Sequence, residues 1–158
     1  MAKRTRFEKA DCPIARSVDV IGDCWSMLII RDAMLGLRRF SEFQKNLGLA
    51  KNILAARLKA LVAHGILTTE PASDGSAYQD YVLTAKGRAV FPIVVALRQW
   101  GEEFAFAPGE LTNVLVDRKT GRRVRKLELR AEDGRLLERV DTEVKAIAAR
   151  GRGMLPRP

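Results

Sequence analysis

The sequence is poor in the side chains from which metal centres and hydrolytic active sites are built. Its 158 residues include two cysteines, Cys12 and Cys24, and one histidine, His64. Two thiols are too few for a disulfide framework or for a zinc site of four thiolates. A single histidine leaves little from which to assemble a catalytic metal cluster or a Ser-His-Asp triad. We therefore predict a protein that is not an enzyme and that needs no metal and no cofactor.

Long apolar runs are also missing. No window of the chain reaches the roughly 18 to 20 consecutive apolar residues that a helix needs to span a bilayer. The segment from Met1 to Lys9 is basic and polar, with no apolar stretch behind it, and is therefore unlike a secretory signal peptide. These two absences predict a cytoplasmic protein without a membrane partner.

Positive charge is what the sequence has in excess. It contains 28 Lys and Arg against 19 Asp and Glu, which gives a net charge of +9. The excess is spread along the chain, because the first 105 residues hold 15 basic against 11 acidic side chains and the remainder hold 13 against 8. A basic protein favours polyanionic partners, since each neutralised phosphate releases condensed counterions. Charge alone does not separate nucleic acid from anionic lipid.

Apolar side chains recur at helical spacing through the first 64 residues. Glycines and capping residues divide this pattern into four predicted helices, at 13–21, 23–35, 41–47 and 51–64. The fourth has an apolar stripe that comprises Leu54, Leu58, Leu61 and Val62. Because only a tight turn at Gly48 and Leu49 separates the third helix from the fourth, the pair fits a helix-turn-helix better than a bundle hairpin.

Strand and turn signals follow the fourth helix. Residues 66–70 and 78–83 are β-prone, and the turn residues Asp74, Gly75 and Ser76 lie between them, which predicts a β-hairpin, the wing. Thr84 is a good N-cap for a long helix that reaches about Phe104, and Pro92 within it predicts a kink.

Beyond Pro108 the apolar period changes from 3.6 to 2. We predict strands at 114–116, 124–129 and 136–144, joined by turns at Lys119-Thr120-Gly121 and Asp133-Gly134, as a small antiparallel meander with a frayed end after residue 150. The predicted fold class is therefore α+β. A basic arm at 1–10 precedes a winged helix-turn-helix domain at 11–105, and a small β-rich C-terminal extension follows at 106–158.

Several short motifs in fixed order carry a resemblance to a known family. They are Cys12-Pro13, Gly22-Asp23-Cys24-Trp25-Ser26-Met27-Leu28-Ile29-Ile30-Arg31-Asp32, Arg39-Phe40-Ser41-Glu42-Phe43, Leu54…Leu58…Leu61…Gly65-Ile66-Leu67, and Tyr81-Val82-Leu83-Thr84-Ala85-Lys86-Gly87. Between Cys12 and Phe104 the chain resembles the HxlR-type winged helix-turn-helix transcriptional regulators, which are relatives of the MarR-type repressors. The resemblance implies a DNA-binding homodimer that is formed by the first and last helices.

Two departures from the family pattern bear on DNA binding. Ala50 stands where the family often has a Ser or Thr cap for the recognition helix, which forfeits up to about 1 kcal/mol of capping. The wing holds Asp74 and Asp80 but no Lys or Arg, so a strong wing contact to phosphate is not expected.

The helix-turn-helix interpretation selects candidate DNA contacts. The groove-facing side of the fourth helix offers Lys51, Asn52, Ala55, Ala56 and Lys59, with Arg57 at the boundary of that face as a candidate phosphate contact. Asn52 suits a bidentate pair with adenine, and the alanines suit a thymine methyl group. The entry to the third helix offers phosphate contacts at Arg38, Arg39, Ser41 and Lys45, and the wing offers Ser76. The alternative for each set is an ordinary solvated surface.

Cys12 is the candidate redox-sensing residue, because in a subset of the resembled family the cysteine of the Cys-Pro pair senses oxidants or electrophiles. The start of the first helix, with Lys9 and Arg16 near in sequence, would favour its thiolate, whereas Asp11 opposes it. An inert thiol is the alternative. Cys24, beside Trp25 on an apolar helix, is predicted to lie in the core.

Four aromatic residues fit core or dimer contacts better than the lining of an effector cavity; they are Trp25, Phe91, Trp100 and Phe104. An unidentified small-molecule effector is left open. We predict a homodimer on a pseudo-palindromic operator in double-stranded DNA, with recognition helices in successive major grooves about 34 Å apart. The main alternative is a winged-helix module that binds protein without specific DNA binding.

Overall fold

A computed structural model describes residues 7–72 and 74–145, and within these ranges six α-helices and one two-stranded sheet are present. The elements are α1 (Pro13–Ile21), α2 (Cys24–Met34), α3 (Phe40–Leu47), α4 (Lys51–Ala63), β1 (Leu67–Pro71), β2 (Gln79–Leu83), α5 (Ala85–Arg88) and α6 (Phe91–Phe104), followed by a 3₁₀ helix at Arg139–Asp141. The chain divides into two compact units, with the boundary between Leu111 and Thr112. Residues 1–6 of the predicted basic arm and the whole of the predicted frayed end (150–158) lie outside the described residues.

The helices begin and end where local sequence chemistry places their boundaries. At the start of α2 the Asp23 carboxylate accepts hydrogen bonds from the backbone N–H groups of Trp25 and Ser26, both at 3.1 Å. At the end of α4 Gly65 has a positive φ of 66°, and the Ile66 N–H reaches back to the Leu61 carbonyl at 2.9 Å. This is a Schellman closure, which glycine adopts without the penalty that a Cβ imposes.

The hydrophobic core lies where α2, α3, α4 and the start of β1 meet. Its fully buried large apolar side chains are Ile29, Ile30, Phe43, Leu54, Leu58, Leu61, Ile66 and Leu67. Each such side chain contributes about 1.5 to 3 kcal/mol relative to an exposed one. Because the stripe of α4 supplies three of them, the predicted inward face of this helix is confirmed, and its opposite face is left to solvent.

The predicted wing is confirmed as an antiparallel β1–β2 hairpin. Leu67 pairs with Leu83, Thr69 with Tyr81, and Pro71 with Gln79. Pro71 is tolerated because it is the last residue of its strand in a two-stranded sheet. The backbone N–H of Tyr81 also donates to the Arg38 carbonyl at 2.8 Å, which ties the wing to the segment that precedes α3.

The single long helix predicted from Thr84 to Phe104 is wrong, because the structure has two helices, α5 and α6, interrupted at Ala89 and Val90. Pro92 is the cause: it has no N–H to donate to the Arg88 carbonyl four residues earlier, and its ring clashes with that group. It lies in the first turn of α6, where these defects cost little.

The predicted strands of the C-terminal extension are wrong in their extent. Over residues 112–145 the backbone forms two turns, each closed by one isolated antiparallel bridge, Val116 with Arg123 and Arg130 with Leu136. Residues 139–141, within the third predicted strand, are 3₁₀-helical. The antiparallel pairing direction was predictable, whereas continuous ladders are absent from these described residues.

No helix in the described ranges is both long enough and apolar enough to traverse a lipid bilayer.

Candidate nucleic-acid interface

The α3–turn–α4 segment forms a helix-turn-helix. Gly48 ends α3 in the left-handed conformation with φ 64°, and its N–H donates to the Gln44 carbonyl at 2.9 Å. The buried Leu49 follows, and α4 begins two residues later. In helix-turn-helix proteins the second helix of the pair lies in the major groove of DNA, with its N-terminal residues nearest the base edges.

The outer face of α4 is polar at its start. Lys51, Asn52, Ala55 and Lys59 are all exposed, whereas Leu54 between them is fully buried. The cap position Ala50 makes no side-chain hydrogen bond, so the N–H groups of the first turn receive no side-chain acceptor from it. This end of the helix therefore combines backbone donors, a positive side chain and a carboxamide.

Ile53 is a residue of this face that sequence reasoning missed. Its side chain is 39% exposed in the first turn of α4, although isoleucine is usually buried. The signal was available, because Ile53 falls outside the stripe of Leu54, Leu58 and Leu61. An exposed branched apolar group beside Asn52 suits contact with a thymine methyl group.

Three further candidates are exposed around α3. Arg38 precedes the helix, Ser41 lies in its first turn and Lys45 in its last turn. None of these three side chains has a hydrogen-bond or ion-pair partner within residues 7–72 and 74–145. Their positive and hydroxyl groups are thus available to a phosphate backbone.

The guanidinium of Arg57 already has an ion-pair partner within the chain. Its Nη2 lies 3.0 Å from Oδ2 of Asp23, the residue that caps α2, and its side chain is 29% exposed. The same carboxylate thus caps one helix and pairs with another. The contact holds α4 at a fixed orientation against the start of α2.

The guanidinium of Arg39 is bound by side chains of the wing. Its Nε lies 2.5 Å from Asp80 Oδ1, its Nη2 lies 2.8 Å from Asp74 Oδ2, and its Nη1 donates to Ser76 Oγ at 3.2 Å. Its guanidinium carbon also lies 6.0 Å from the centre of the Tyr78 ring. Its pKa is raised, most of all by the hydrogen bond with Asp74. Arg39 and Ser76 therefore hold the wing to the N-terminus of α3.

Asp74 is the acidic centre of this arrangement. Its carboxylate accepts the backbone N–H of Ser76 at 3.0 Å, and hydrogen bonds from Ser76 and Arg39 hold the pKa of Asp74 well below its usual range. Asp74 and Asp80 of the wing are therefore both paired with an arginine from another element. Sequence reasoning noted these acids but missed their partner, which is remote along the chain.

Glu42 caps α3. Its Oε2 accepts the backbone N–H groups of Arg38 and Arg39, each at 2.8 Å, and these hydrogen bonds, with that of Arg39 the larger, lower the pKa of Glu42. A side chain at the third helical position that reaches back to the N-cap is one half of a capping box. The turn that displays Arg38 is thereby fixed.

A buried polar contact joins α2 to α3. Asp32 is fully buried, and its Oδ2 accepts from Asn46 Nδ2 at 2.7 Å, while Arg31 reaches its Oδ1 at 2.7 Å. A buried carboxylate requires such partners, because its desolvation is otherwise costly. The helical periodicity of α2 gave no indication of this pair, since both residues are polar.

The two cysteines are both exposed. Cys12 is the N-cap residue of α1 and makes no side-chain cap hydrogen bond. The core position predicted for Cys24 is wrong: as the first residue of α2, immediately after its cap, it lies before the buried part of that helix.

The aromatic candidates separate into two groups. Trp25 is half-buried against the core, whereas Phe91, Trp100 and Phe104 of α6 are exposed by 50%, 61% and 64%. The rings of Trp100 and Phe104 are 5.6 Å apart. Phe91 also borders a cavity of about 510 Å³, within the range of small-ligand sites, which lies between the end of α2, β2 and α5.

Comparison with known proteins decides the family. The model of the HxlR-like helix-turn-helix family matches residues 20–107 of the chain. The chain belongs to the HxlR-like helix-turn-helix family. The resemblance read from its motifs is thereby confirmed, as is the winged helix-turn-helix fold class.

Among similar proteins, an uncharacterised HTH-type transcriptional regulator of Mycobacterium tuberculosis is 37% identical over 103 residues. The match covers 65% of this chain and 64% of the length of that relative. Among solved structures, PA1607, described as a candidate transcription factor, is 58% identical with a TM-score of 0.86, and the match covers 89% of this chain and 99% of that one. The redox regulator HypR in its reduced form is 30% identical, with a TM-score of 0.52 over 58% of this chain and 92% of its own.

Proposed function

We propose that this HxlR-like protein is a transcriptional regulator that binds a pseudo-palindromic operator in double-stranded DNA as a homodimer. The observation that carries the proposal is the two-sided character of α4: its leucines are fully buried, while Lys51, Asn52 and Ile53 are exposed on its first turn. A helix fixed in this way presents a rigid polar edge. The tight turn at Gly48 separates this helix from α3.

Within this proposal, Asn52 and Ile53 read base edges while Lys51 and Lys59 approach phosphates. Arg38, Ser41 and Lys45 contact the backbone beside the groove, and Ala55 allows close approach of the helix. Arg39, Arg57 and Ser76 have a different role from the one their residue types first suggest. They orient the wing and α4, because their polar atoms already have partners within the chain.

A second copy is proposed to cover the exposed apolar sides of α1 and α6. These sides carry Ile14, Val18, Leu97, Trp100 and Phe104, which are 49% to 74% exposed. Apolar surface of this extent on two helices favours burial in a protein–protein interface. A two-fold symmetric dimer places two copies of α4 about 34 Å apart, one turn of B-DNA.

The experiment that tests the proposal is selection of bound duplexes from a random pool by the full-length protein, with sedimentation of the complex. The proposal expects an enriched inverted repeat with half-site centres about 10 base pairs apart and two chains per duplex. A winged-helix module that binds only protein gives no enriched sequence and no steep dependence of duplex affinity on salt. That result would contradict the proposal.

Redox control through Cys12 is proposed as the regulatory input, supported by its exposure at the start of α1 and by the redox regulator HypR among the solved structures to which the chain is similar. The Cys12 thiols of the two subunits lose two electrons and two protons as they form a disulfide, and diamide takes up these electrons and protons. Modification of Cys12 would displace the start of a helix proposed to form the dimer.

Operator affinity is compared before and after diamide in wild type, Cys12→Ser and the matched exposed-thiol control Cys24→Ser. The proposal expects only Cys12→Ser to be insensitive, and an unchanged response in that variant would contradict it.

A further inference from the structure

One turn of the C-terminal unit, which begins at Thr112, is rich in basic side chains. This turn, residues 116–123, is named here the basic hairpin. It contains four basic residues, Arg118, Lys119, Arg122 and Arg123, and one acidic residue, Asp117. All five are exposed.

Backbone hydrogen bonds give the basic hairpin a defined shape. The Asp117 N–H donates to the Arg122 carbonyl at 2.8 Å, and the Gly121 N–H donates to the Asp117 carbonyl at 2.7 Å. The Asp117 carboxylate accepts the N–H of Lys119 at 2.7 Å, and this bond is the main cause that lowers the pKa of Asp117. The one acid of the turn is therefore engaged in its backbone, and it forms no ion pair with the basic side chains among the described residues.

The basic side chains of the hairpin differ from others in the same unit. Arg130 pairs with Glu128 at 2.5 Å, Arg135 lies 3.8 Å from Asp141, and Lys145 pairs with Glu143 at 2.6 Å. By contrast, no side-chain partner for Arg118, Lys119, Arg122 or Arg123 is found in the part of the chain that the structure describes. Four basic side chains without a partner are thus grouped at this turn, and Arg139 is a single further example elsewhere in the described part of the unit.

The wing cannot supply this charge. It has no Lys or Arg between Leu67 and Leu83, and its Asp74 and Asp80 are already paired with Arg39. A wing that contacts a phosphate backbone needs donors or cations, and the paired acids of this one oppose the approach of a phosphate.

We propose that the basic hairpin is a second nucleic-acid contact of this protein, which binds the phosphate backbone of duplex DNA without reading its sequence. The inference rests on the proposed function, which it extends from α4 to the C-terminal unit. Lys and Arg on a fixed turn suit phosphate oxygens as charge-assisted partners. Such contacts add affinity and salt dependence to binding, and they leave base preference to the helix in the groove.

The test compares two full-length variants with equal loss of charge. The first carries Arg118→Gln, Lys119→Gln, Arg122→Gln and Arg123→Gln, and the matched control carries Arg130→Gln, Arg135→Gln, Arg139→Gln and Lys145→Gln in the same unit. Duplex affinity is measured against salt concentration by fluorescence anisotropy, with a selected site and with a scrambled duplex. Circular dichroism and thermal melting establish that each variant is folded.

Each phosphate contact contributes about 0.9 to the slope of log affinity against log salt, so the hairpin variant is expected to lower that slope by about 2 to 4 per chain. The control is expected to lower it by less than 1, and the ratio of selected-site to scrambled-site affinity is expected to stay constant in both. If the quadruple variant does not fold, the single variants Arg118→Gln and Arg122→Gln provide the test. Each is expected to lower the slope of log affinity against log salt by about 1.

Equal slopes of log affinity against log salt for the hairpin variant and the control would overturn the proposal. An unchanged duplex affinity in the hairpin variant would also overturn it, and would point to an acidic protein as the partner of the hairpin. A wild-type protein with no salt-dependent duplex binding would instead contradict the proposed function itself. The two failures are therefore distinguishable.

Discussion

Arg39 and Asp80 form an ion pair at 2.5 Å that joins the cap of α3 to the second strand of the wing. The Asp80 side chain is 5% exposed, and a buried carboxylate without a partner is costly because it has lost its hydration. A residue that a motif marks as a phosphate ligand is therefore bound within the protein, while its neighbour Arg38 is exposed and without such a partner among the residues described here.

The two adjacent arginines are predicted to give opposite phenotypes. Arg38→Gln is expected to lower the salt slope of operator binding by about 1, the effect of one phosphate contact, with little change in thermal stability. Arg39→Gln is expected to lower the melting temperature with little change in that slope, because the acids of the wing lose their partner. Each variant is the control for the other, and the reversed pattern would contradict the assignment.

The close approach of Gly87 to Ile66, between α4 and β1, predicts a stability effect. A Cβ on Gly87 would lie 2.1 Å from the Ile66 carbonyl oxygen, whereas a Cβ on Gly101 of α6 would meet nothing within 4 Å. Gly87→Ala is expected to destabilise the fold by about 1 to 3 kcal/mol. Gly101→Ala is the matched control and is expected to stabilise it by about 0.5 to 1 kcal/mol. Chemical denaturation measures both, and similar values for the two variants would argue against the packing described.

The uncapped start of α4 predicts a gain of stability. Ala50 has φ −60° and ψ 139°, which is the backbone conformation of an N-cap, but its side chain supplies no acceptor. Ala50→Ser is expected to raise the free energy of unfolding by about 1 kcal/mol, because the hydroxyl accepts an N–H of the first turn. Ala50→Val, which lacks an acceptor, is expected to give no gain. A gain in both variants would attribute the effect to something other than capping.

Glu42 predicts how stability depends on pH. Its folded-state pKa is lowered by the N–H groups of Arg39 and Arg38, so its stabilising contribution is present above the unfolded pKa of about 4.3 and is lost as pH falls through the folded value. Glu42→Ala is expected to cost about 1 kcal/mol at neutral pH. The difference in unfolding free energy between wild type and Glu42→Ala should shrink as the pH falls below about 5. A difference that is constant with pH would contradict the cap.

The sequence was sufficient for the parts of the fold that depend on local patterns. The stripe of Leu54, Leu58 and Leu61, the Gly48 turn and the Thr84 cap all follow from side-chain periodicity and backbone preferences, and the structure has each of them. The resemblance in motif order identified the family for the same reason, since those motifs encode the packed faces of α2 and α4.

Contacts between residues remote in sequence were not predictable in this way. The ion pairs of Arg39 with Asp80 and of Arg57 with Asp23 depend on how the elements pack, so residue type alone suggested phosphate ligands at both arginines. Period-2 patterning after Pro108 likewise indicated strands, but strands require partners along their whole length, and residues 112–145 contain only isolated bridges. The hydrogen bond from Asn46 to the buried Asp32 has the same origin.

Base preference measured for variants of α4 tests the account most directly. Duplexes selected by the wild type are compared with those selected by Asn52→Ala, and Lys45→Ala serves as a control that removes a positive charge near the phosphate backbone. Asn52→Ala is predicted to relax preference at one position in each half-site, by about 1 to 3 kcal/mol of discrimination, whereas Lys45→Ala weakens binding to all duplexes alike. An unchanged preference in both Asn52→Ala and Ile53→Ala would show that α4 is not the element that reads the operator.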